Sequence, residues 1–283
     1  MKRAFSLGSE WLYFKIYCGV KTADFILTDF LKEKIKEMLE KQRITKWFFI
    51  RYNDPDAHLR LRFKIENPQH LGTVINTIHS VLNPLVEEHL IWKIQTDTYT
   101  RELERYGEAT YELSESIFQA DSELILDYIG LKPYFENDTT AILFSFLAID
   151  QFLTLFSQTN QEKMMLLDHW QSSFKTEFQA DKNLKKEFDK NYRSIEKELE
   201  SFLLFEKKET LGPIYEAILL KNEKIKDSIP LIKTNLELAL SSFLSSHVHM
   251  MLNRQFTSRQ RAYELLIYDQ LFRYYKKCCF RNG

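Results

Sequence analysis

Residues 47–63 read WFFIRYNDPDAHLRLRF, two apolar runs flanking a polar turn. That is the pattern of a β-hairpin. In the second run His58, Arg60 and Arg62 alternate with Leu59, Leu61 and Phe63. Successive side chains of a strand point to opposite faces. The basic residues therefore share one side of the strand and the apolar residues the other.

The segments around the hairpin extend the pattern. WLYFKIYCGV (11–20) is aromatic and β-branched, and Gly19 closes it as a first strand. Thr22 is placed to cap a helix, with Asp24 in its first turn favouring the positive end of the dipole. Ile26, Phe30, Leu31, Ile35, Met38 and Leu39 give that helix one apolar stripe, to about residue 41. Beyond the hairpin, Asn67-Pro68 opens a second helix with apolar Leu71, Val74, Ile75, Ile78, Val81 and Leu82. LIWKIQTDTY (90–99) returns to a strand. The order β-α-β-β-α-β predicts a ferredoxin-like layer.

From about residue 114 the periodicity is helical, with candidate helices near 121–130, 138–157, 161–178, 182–205, 212–237, 240–256 and 259–277. Only 7 Gly and 6 Pro among 283 residues also favour long helices over a loop-rich chain. The expected fold class is α+β: a small N-terminal ferredoxin-like layer (1–113) packed on a larger helical C-terminal half (114–283), as a single domain over 1–283.

Lys plus Arg number 39 against 40 Asp plus Glu, so no net field draws the chain to nucleic acid or an anionic membrane, and any basic site must be local. Cys18, Cys278 and Cys279 form no CxxC pair and no disulfide-like spacing, which predicts a reducing, cytoplasmic setting. The opening MKRAFSLGSEW lacks a signal-peptide core. The most apolar window, AILFSFLAIDQFLTLF, carries Asp150 and Gln151, so no membrane span is expected.

Nucleotide-binding glycine loops, HExxH, GxSxG and zinc-ligand spacings are absent from the sequence. Three clusters remain as candidates for chemistry. The basic ladder is either a solvated strand face or, if covered, an anion site, because unpaired arginines are costly to bury. Two guanidiniums two residues apart on a strand lie about 7 Å apart and can take one carboxylate each or clamp a single group bidentately. In TRELERYG (100–107), Arg101 and Arg105 share a face if the segment is helical, where surface ion pairs are the alternative reading. In SSHVHMMLNRQF (245–256), His249 and Asn253 are helical neighbours at i,i+4, so the amide could orient the imidazole; a packed core histidine is the alternative.

Taken in order, RYNDPDAHLRLRF, YTRELERYG, HMMLNR (249–254) and YDQLFRYYK (268–276) resemble the C-terminal domain of class I lantibiotic dehydratases, also found free-standing as thiopeptide-type bacteriocin biosynthesis proteins. The resemblance runs from about Trp11 to Lys277. It implies elimination of glutamate from glutamylated Ser or Thr of a ribosomal precursor peptide, leaving dehydroalanine or dehydrobutyrine. By motif, it points to Arg60, Arg62, Arg105 and His249 as catalytic, with Arg51, His58, Arg101, Asn253 and Arg254 binding substrate. It implies no metal or organic cofactor. Its implied partners are the glutamylated precursor peptide and a separate glutamylating subunit that uses the tRNA. Where the family often has Gly-Gly after ERY, this chain has Gly107-Glu108. The same resemblance leaves two alternatives: a pyridine synthase joining two dehydroalanines, and a non-catalytic subunit presenting the precursor peptide.

Overall fold

The computed structural model describes residues 1–134, 139–206 and 208–281. The chain divides into two compact units: residues 1–130 with 234–239 and 253–258, and residues 131–233 with 240–252 and 259–283.

The first unit opens with β1 (Ala4–Phe5) and β2 (Trp11–Cys18). Helix α1 (Val20–Phe25) runs through a π-helical stretch, Ile26–Leu31, into α2 (Lys32–Glu40). The hairpin follows as β3 (Lys46–Asn53) and β4 (Ala57–Lys64). Then come α3 (Leu71–Glu87), β5 (Ile91–Thr96), β6 (Tyr99–Thr100), α4 (Leu103–Tyr106) and α5 (Tyr111–Leu131). β3, β4, β2 and β5 lie in that order in one sheet whose pairs are all antiparallel. This is the ferredoxin-like arrangement expected from the element order. β1 and β6 form a separate two-stranded ribbon that the sequence reading did not include.

Register explains the two faces of the sheet. Leu12, Ile16, Leu59, Leu61 and Phe63 share one face and are almost fully buried, with Ile26, Leu27, Leu31, Val74, Ile78 and Leu82 of the helices. The other face carries Tyr13, Lys15 and Tyr17 of β2 opposite Arg62, Arg60 and His58 of β4.

The helix ends follow local chemistry. Asn67 accepts from Gln69 N–H with Pro68 in the first turn, as expected. Thr22 does not cap α1: the helix starts at Val20, with Gly19 as its N-cap. α5 begins at Tyr111, ten residues before the predicted start, because buried Ser114, Glu115, Asp121 and Ser122 interrupt its apolar stripe. Hydrogen bonds inside the fold offset that burial, as the Arg101–Glu115 pair illustrates.

The second unit is helical: α6 (Thr139–Leu155), α7 (Asn160–Glu177), α8 (Lys182–Leu203), α9 (Lys208–Ile225), α10 (Ser228–Asn235), α11 (Leu240–Gln255) and α12 (Gln260–Arg281). The last residues of α11, from Asn253, group with the first unit. The start expected for α6, residue 138, lies outside the described residues. One helix predicted over 212–237 is two, α9 and α10. Pro230 cannot donate to a preceding carbonyl but fits the first turn of a new helix, which accounts for the break. A capping box, Thr159 with Glu162, starts α7, and Asp181 caps α8. Among the described residues, no helix is long and apolar enough to cross a membrane.

Candidate active site

The basic ladder is buried at both ends, His58 and Arg62, and partly exposed at Arg60 between them. At one end Arg62 is 8% exposed, and its guanidinium carbon lies 4.4 Å from the Tyr13 ring centre, 5.1 Å from Phe48 and 5.0 Å from Tyr99. Phe118 of α5 closes over Phe48, ring centres 5.3 Å apart. Arg62 makes no hydrogen bond or ion pair among the described residues, and its Nε is sealed from solvent without a partner. Burying a cation without a carboxylate is costly, and three ring faces offset only part of that cost.

In the middle, Arg60 stacks 3.4 Å over the Tyr52 ring centre and donates from Nε to His58 Nε2 at 3.1 Å. His58 Nδ1 lies 2.8 Å from the Asp56 carbonyl, which can only accept. Nδ1 therefore carries the proton and Nε2 is left as the acceptor for Arg60. Burial lowers the His58 pKa; the Asp56 hydrogen bond opposes the shift and the Arg60 charge reinforces it. The ring is held neutral and pins Arg60. Directly across the strand pair from Arg60 is Lys15, which forms an ion pair with Asp97. That hydrogen bond raises the Lys15 pKa and lowers that of Asp97. Burial raises the pKa of Tyr13, against the pull of Arg62 and Arg60.

The second motif is split. Arg101 and Arg105 do not share a helix face, because α4 starts only at Leu103. Arg101 instead extends the β1–β6 ribbon, its N–H donating to the Arg3 carbonyl at 2.8 Å. Its side chain is buried, with Nε and a terminal nitrogen each 2.7 Å from Glu115. Tyr99 hydroxyl donates to the same carboxylate at 3.1 Å. Arg101 thus fixes α5 beside Tyr99, which in turn covers Arg62. Arg105 is exposed and pairs with Glu102 at 2.9 Å. After it, Gly107 has φ +74°, and a Cβ there would meet Thr110 Oγ1 at 2.7 Å, so this turn requires glycine.

Arg51 lies on the helix-facing side of the sheet, opposite the ladder. It pairs with Asp24 and donates from Nε to the Arg254 carbonyl at 2.8 Å. Asn253 accepts from Arg51 N–H and donates to Arg51 C=O, both at 3.0 Å. Its amide serves the outer edge of β3 rather than the imidazole of His249. Arg254 is buried, bonded from Nε to Ser122 Oγ at 3.2 Å, and burial pushes its pKa down to about 10.

His249 belongs to the second unit, where it is partly exposed. Its Nδ1 lies 2.9 and 3.1 Å from the two oxygens of Glu264, which is 1% exposed. Gln260 donates to Glu264 at 3.0 Å, and Tyr268 hydroxyl is 3.4 Å away. A carboxylate on Nδ1 sets the tautomer and leaves Nε2 to exchange a proton. Sequence reasoning missed Glu264, fifteen residues away, because no local spacing marks it. It also missed Lys15 and Asp97, although the alternation in WLYFKIYC puts Lys15 between two tyrosines on the ladder face.

The sequence model described as "Lantibiotic biosynthesis dehydratase C-term" matches residues 11–275. The chain belongs to this family. It is 26% identical to the subtilin biosynthesis protein SpaB of Bacillus subtilis over 267 residues, 91% of this chain and 25% of that protein. It is also 26% identical to the nisin biosynthesis protein NisB of Lactococcus lactis subsp. lactis over 275 residues, 89% of this chain and 26% of that protein. The chain therefore spans about a quarter of the length of these relatives. Among solved structures, the tRNA-dependent lantibiotic dehydratase MibB from Microbispora sp. 107891 superposes with a TM-score of 0.78 at 19% identity, over 99% of this chain and 29% of that one. The pyridine synthase TbtD from thiomuracin biosynthesis gives 0.67 at 12% identity, over 95% of this chain and 100% of that one. At such identities these two likenesses concern the fold.

Proposed function

We propose that this lantibiotic dehydratase family member eliminates glutamate from glutamylated Ser or Thr of a ribosomal precursor peptide. The observation that carries the reading is Arg62, a buried guanidinium with no carboxylate partner among the described residues and a second arginine two positions away on the same face. Such a site gains stability when a ligand brings the missing anion. A glutamyl ester brings two carboxyl groups: the esterified one, which leaves as a carboxylate, and the free side-chain carboxylate.

In the step, a base takes the Cα proton, the Cα–Cβ double bond forms and the Cβ–O bond breaks. Glutamate departs through its former ester carboxyl. Arg60, Arg62 and Arg105 hold the glutamyl carboxylates and stabilise the charge that develops on the leaving group. His249, oriented by Glu264, exchanges the proton at Cα or supports the group that does. His58 pins Arg60, while Arg101 and Arg254 act as internal supports. The glutamylating step, with its tRNA, is assigned to a partner dehydratase region or subunit, and the setting to the cytoplasm.

The test incubates the purified chain with a glutamylated precursor peptide and follows mass. Loss of glutamate leaving dehydrated residues supports elimination. No change with that peptide, together with macrocycle formation from a dehydrated peptide, replaces it with the pyridine synthase reading. Tight binding of both peptides without turnover points to a presenting subunit.

A further inference from the structure

The ladder face holds a carboxylate as well as cations. Lys15, Arg60 and Arg62 lie together on it by strand register, and Asp97 joins them at the end of β5 through its ion pair with Lys15. Two features fix Asp97 there: its N–H donates to the Tyr13 carbonyl at 3.2 Å, and its Oδ1 accepts from Thr98 N–H at 2.7 Å. Its electrostatic neighbours include Arg60 as well as Lys15. Lys15 and Arg62 both approach the ring of Tyr13, at 5.9 and 4.4 Å. These four side chains make three cations and one carboxylate, on a face that also carries Lys64 and Lys93 by register, and buried Arg62 has no carboxylate partner among the described residues.

A carboxylate oxygen has two acceptor sites. Asp97 spends one of its oxygens on Lys15 and the other on Thr98, and its side chain remains 44% exposed, so capacity is left for an incoming donor. An amino acid on a tRNA is carried through its α-carboxyl. A glutamyl unit transferred from tRNA to Ser or Thr therefore keeps a free α-ammonium beside the ester and a free carboxylate at the end of its side chain. A pocket for that unit needs cations for the terminal carboxylate and for the leaving carboxyl, and one acceptor for the ammonium. The ladder face offers that set, with Arg62 buried, Lys15 opposite Arg60, and the Asp97 side chain the more exposed of the ion pair.

We infer that Asp97 is a specificity-determining residue: it receives the α-ammonium of the glutamyl unit, while Lys15 joins Arg60 at the ester. The inference rests on the elimination reading and sharpens it, because it separates a glutamyl ester from an acyl ester that carries only the carboxylate. Arginines alone would accept both. Asp97 rewards the ammonium.

The experiment compares two synthetic peptides with the full chain, one carrying O-glutamyl serine and the other O-glutaryl serine, which lacks the amine. A charge-assisted hydrogen bond to the ammonium should favour the glutamyl ester by roughly 10- to 100-fold in kcat/KM. Asp97→Asn should bring the ratio to within about threefold by lowering the glutamyl rate alone, and Asp97→Glu should restore part of it. Lys15→Met should slow both esters alike and keep the preference, which separates the role of Asp97 from loss of its ion pair. Thermal melts confirm that each variant is folded. If wild type eliminates the glutamyl ester but Asp97→Asn keeps the full preference, or slows both esters equally, the assignment of Asp97 is overturned alone. If wild type eliminates neither ester, the elimination reading falls and takes this one with it.

Discussion

Replacing Arg62 with methionine should make the protein more stable and less active. In the free protein the guanidinium touches three rings, at 4.4, 5.0 and 5.1 Å. Each such contact contributes about 0.5–2 kcal/mol, so the three together supply about 1.5–6 kcal/mol. Against this stand a desolvation cost of several kcal/mol for a buried ion and about 1–3 kcal/mol for the sealed Nε–H. Methionine removes both costs, keeps sulfur–aromatic contact worth about 0.3–1.5 kcal/mol per ring, and fills similar space. The balance favours the variant by about 1–4 kcal/mol, the range seen when buried charges are exchanged for apolar side chains. For a chain of this size that is a rise in Tm of roughly 2–7 °C. Thermal unfolding at pH 7 followed by circular dichroism measures it, and the glutamylated-peptide assay should show at least a hundredfold loss of turnover. Glutarate supplies a second readout. At about ten times its Kd it should stabilise wild type by about 1.4 kcal/mol and leave Arg62→Met unmoved. A lower Tm for the variant would refute the reasoning, since it would mean that the fold already compensates the charge.

Glu264→Gln should lower kcat at least tenfold; in a His249→Ala background it should do little more, which a double-mutant cycle on the elimination rate would read. His58 binds its proton less readily in the fold than in the unfolded chain. Between that depressed value and the unfolded value of about 6.5 the unfolded chain holds more protons, so stability rises with pH across this window and falls on acidification. His58→Asn should flatten the dependence of Tm on pH between pH 5 and 7, and an unchanged slope would count against the neutral, Arg60-bound ring. Glu115→Gln strands the buried Arg101 and should cost about 3–5 kcal/mol in urea unfolding, whereas Arg101→Met with Glu115→Leu should recover most of it.

Much of this was legible because strand alternation and helix stripes are local properties. The sheet of the first unit followed from the apolar runs and the 47–63 hairpin, and HLRLR revealed its own face. What defeated the sequence was pairing across distance. Nothing near Arg101 announces that it faces Glu115 instead of sharing a helix with Arg105. Asn253 suits His249 by spacing, yet the backbone of Arg51 claims its amide and Glu264 takes the imidazole. The start of α5 was hidden for a related reason: its buried polar residues look like surface until their partners are known.

The latch on β3 has a consequence in time. Ser122 accepts from Phe49 N–H, and Asn253 binds both backbone groups of Arg51, so side chains from helices seal the outer edge of the sheet. Asn253 comes 202 residues after Arg51. At a synthesis rate of about 5–20 residues per second, the Arg51 stretch waits roughly 10–40 s on the ribosome for its partner. An unpaired strand edge is a template for pairing with other chains. The nascent sheet therefore keeps the Arg51 stretch of its rim open until the Asn253 amide arrives, long after Ser122 has been made.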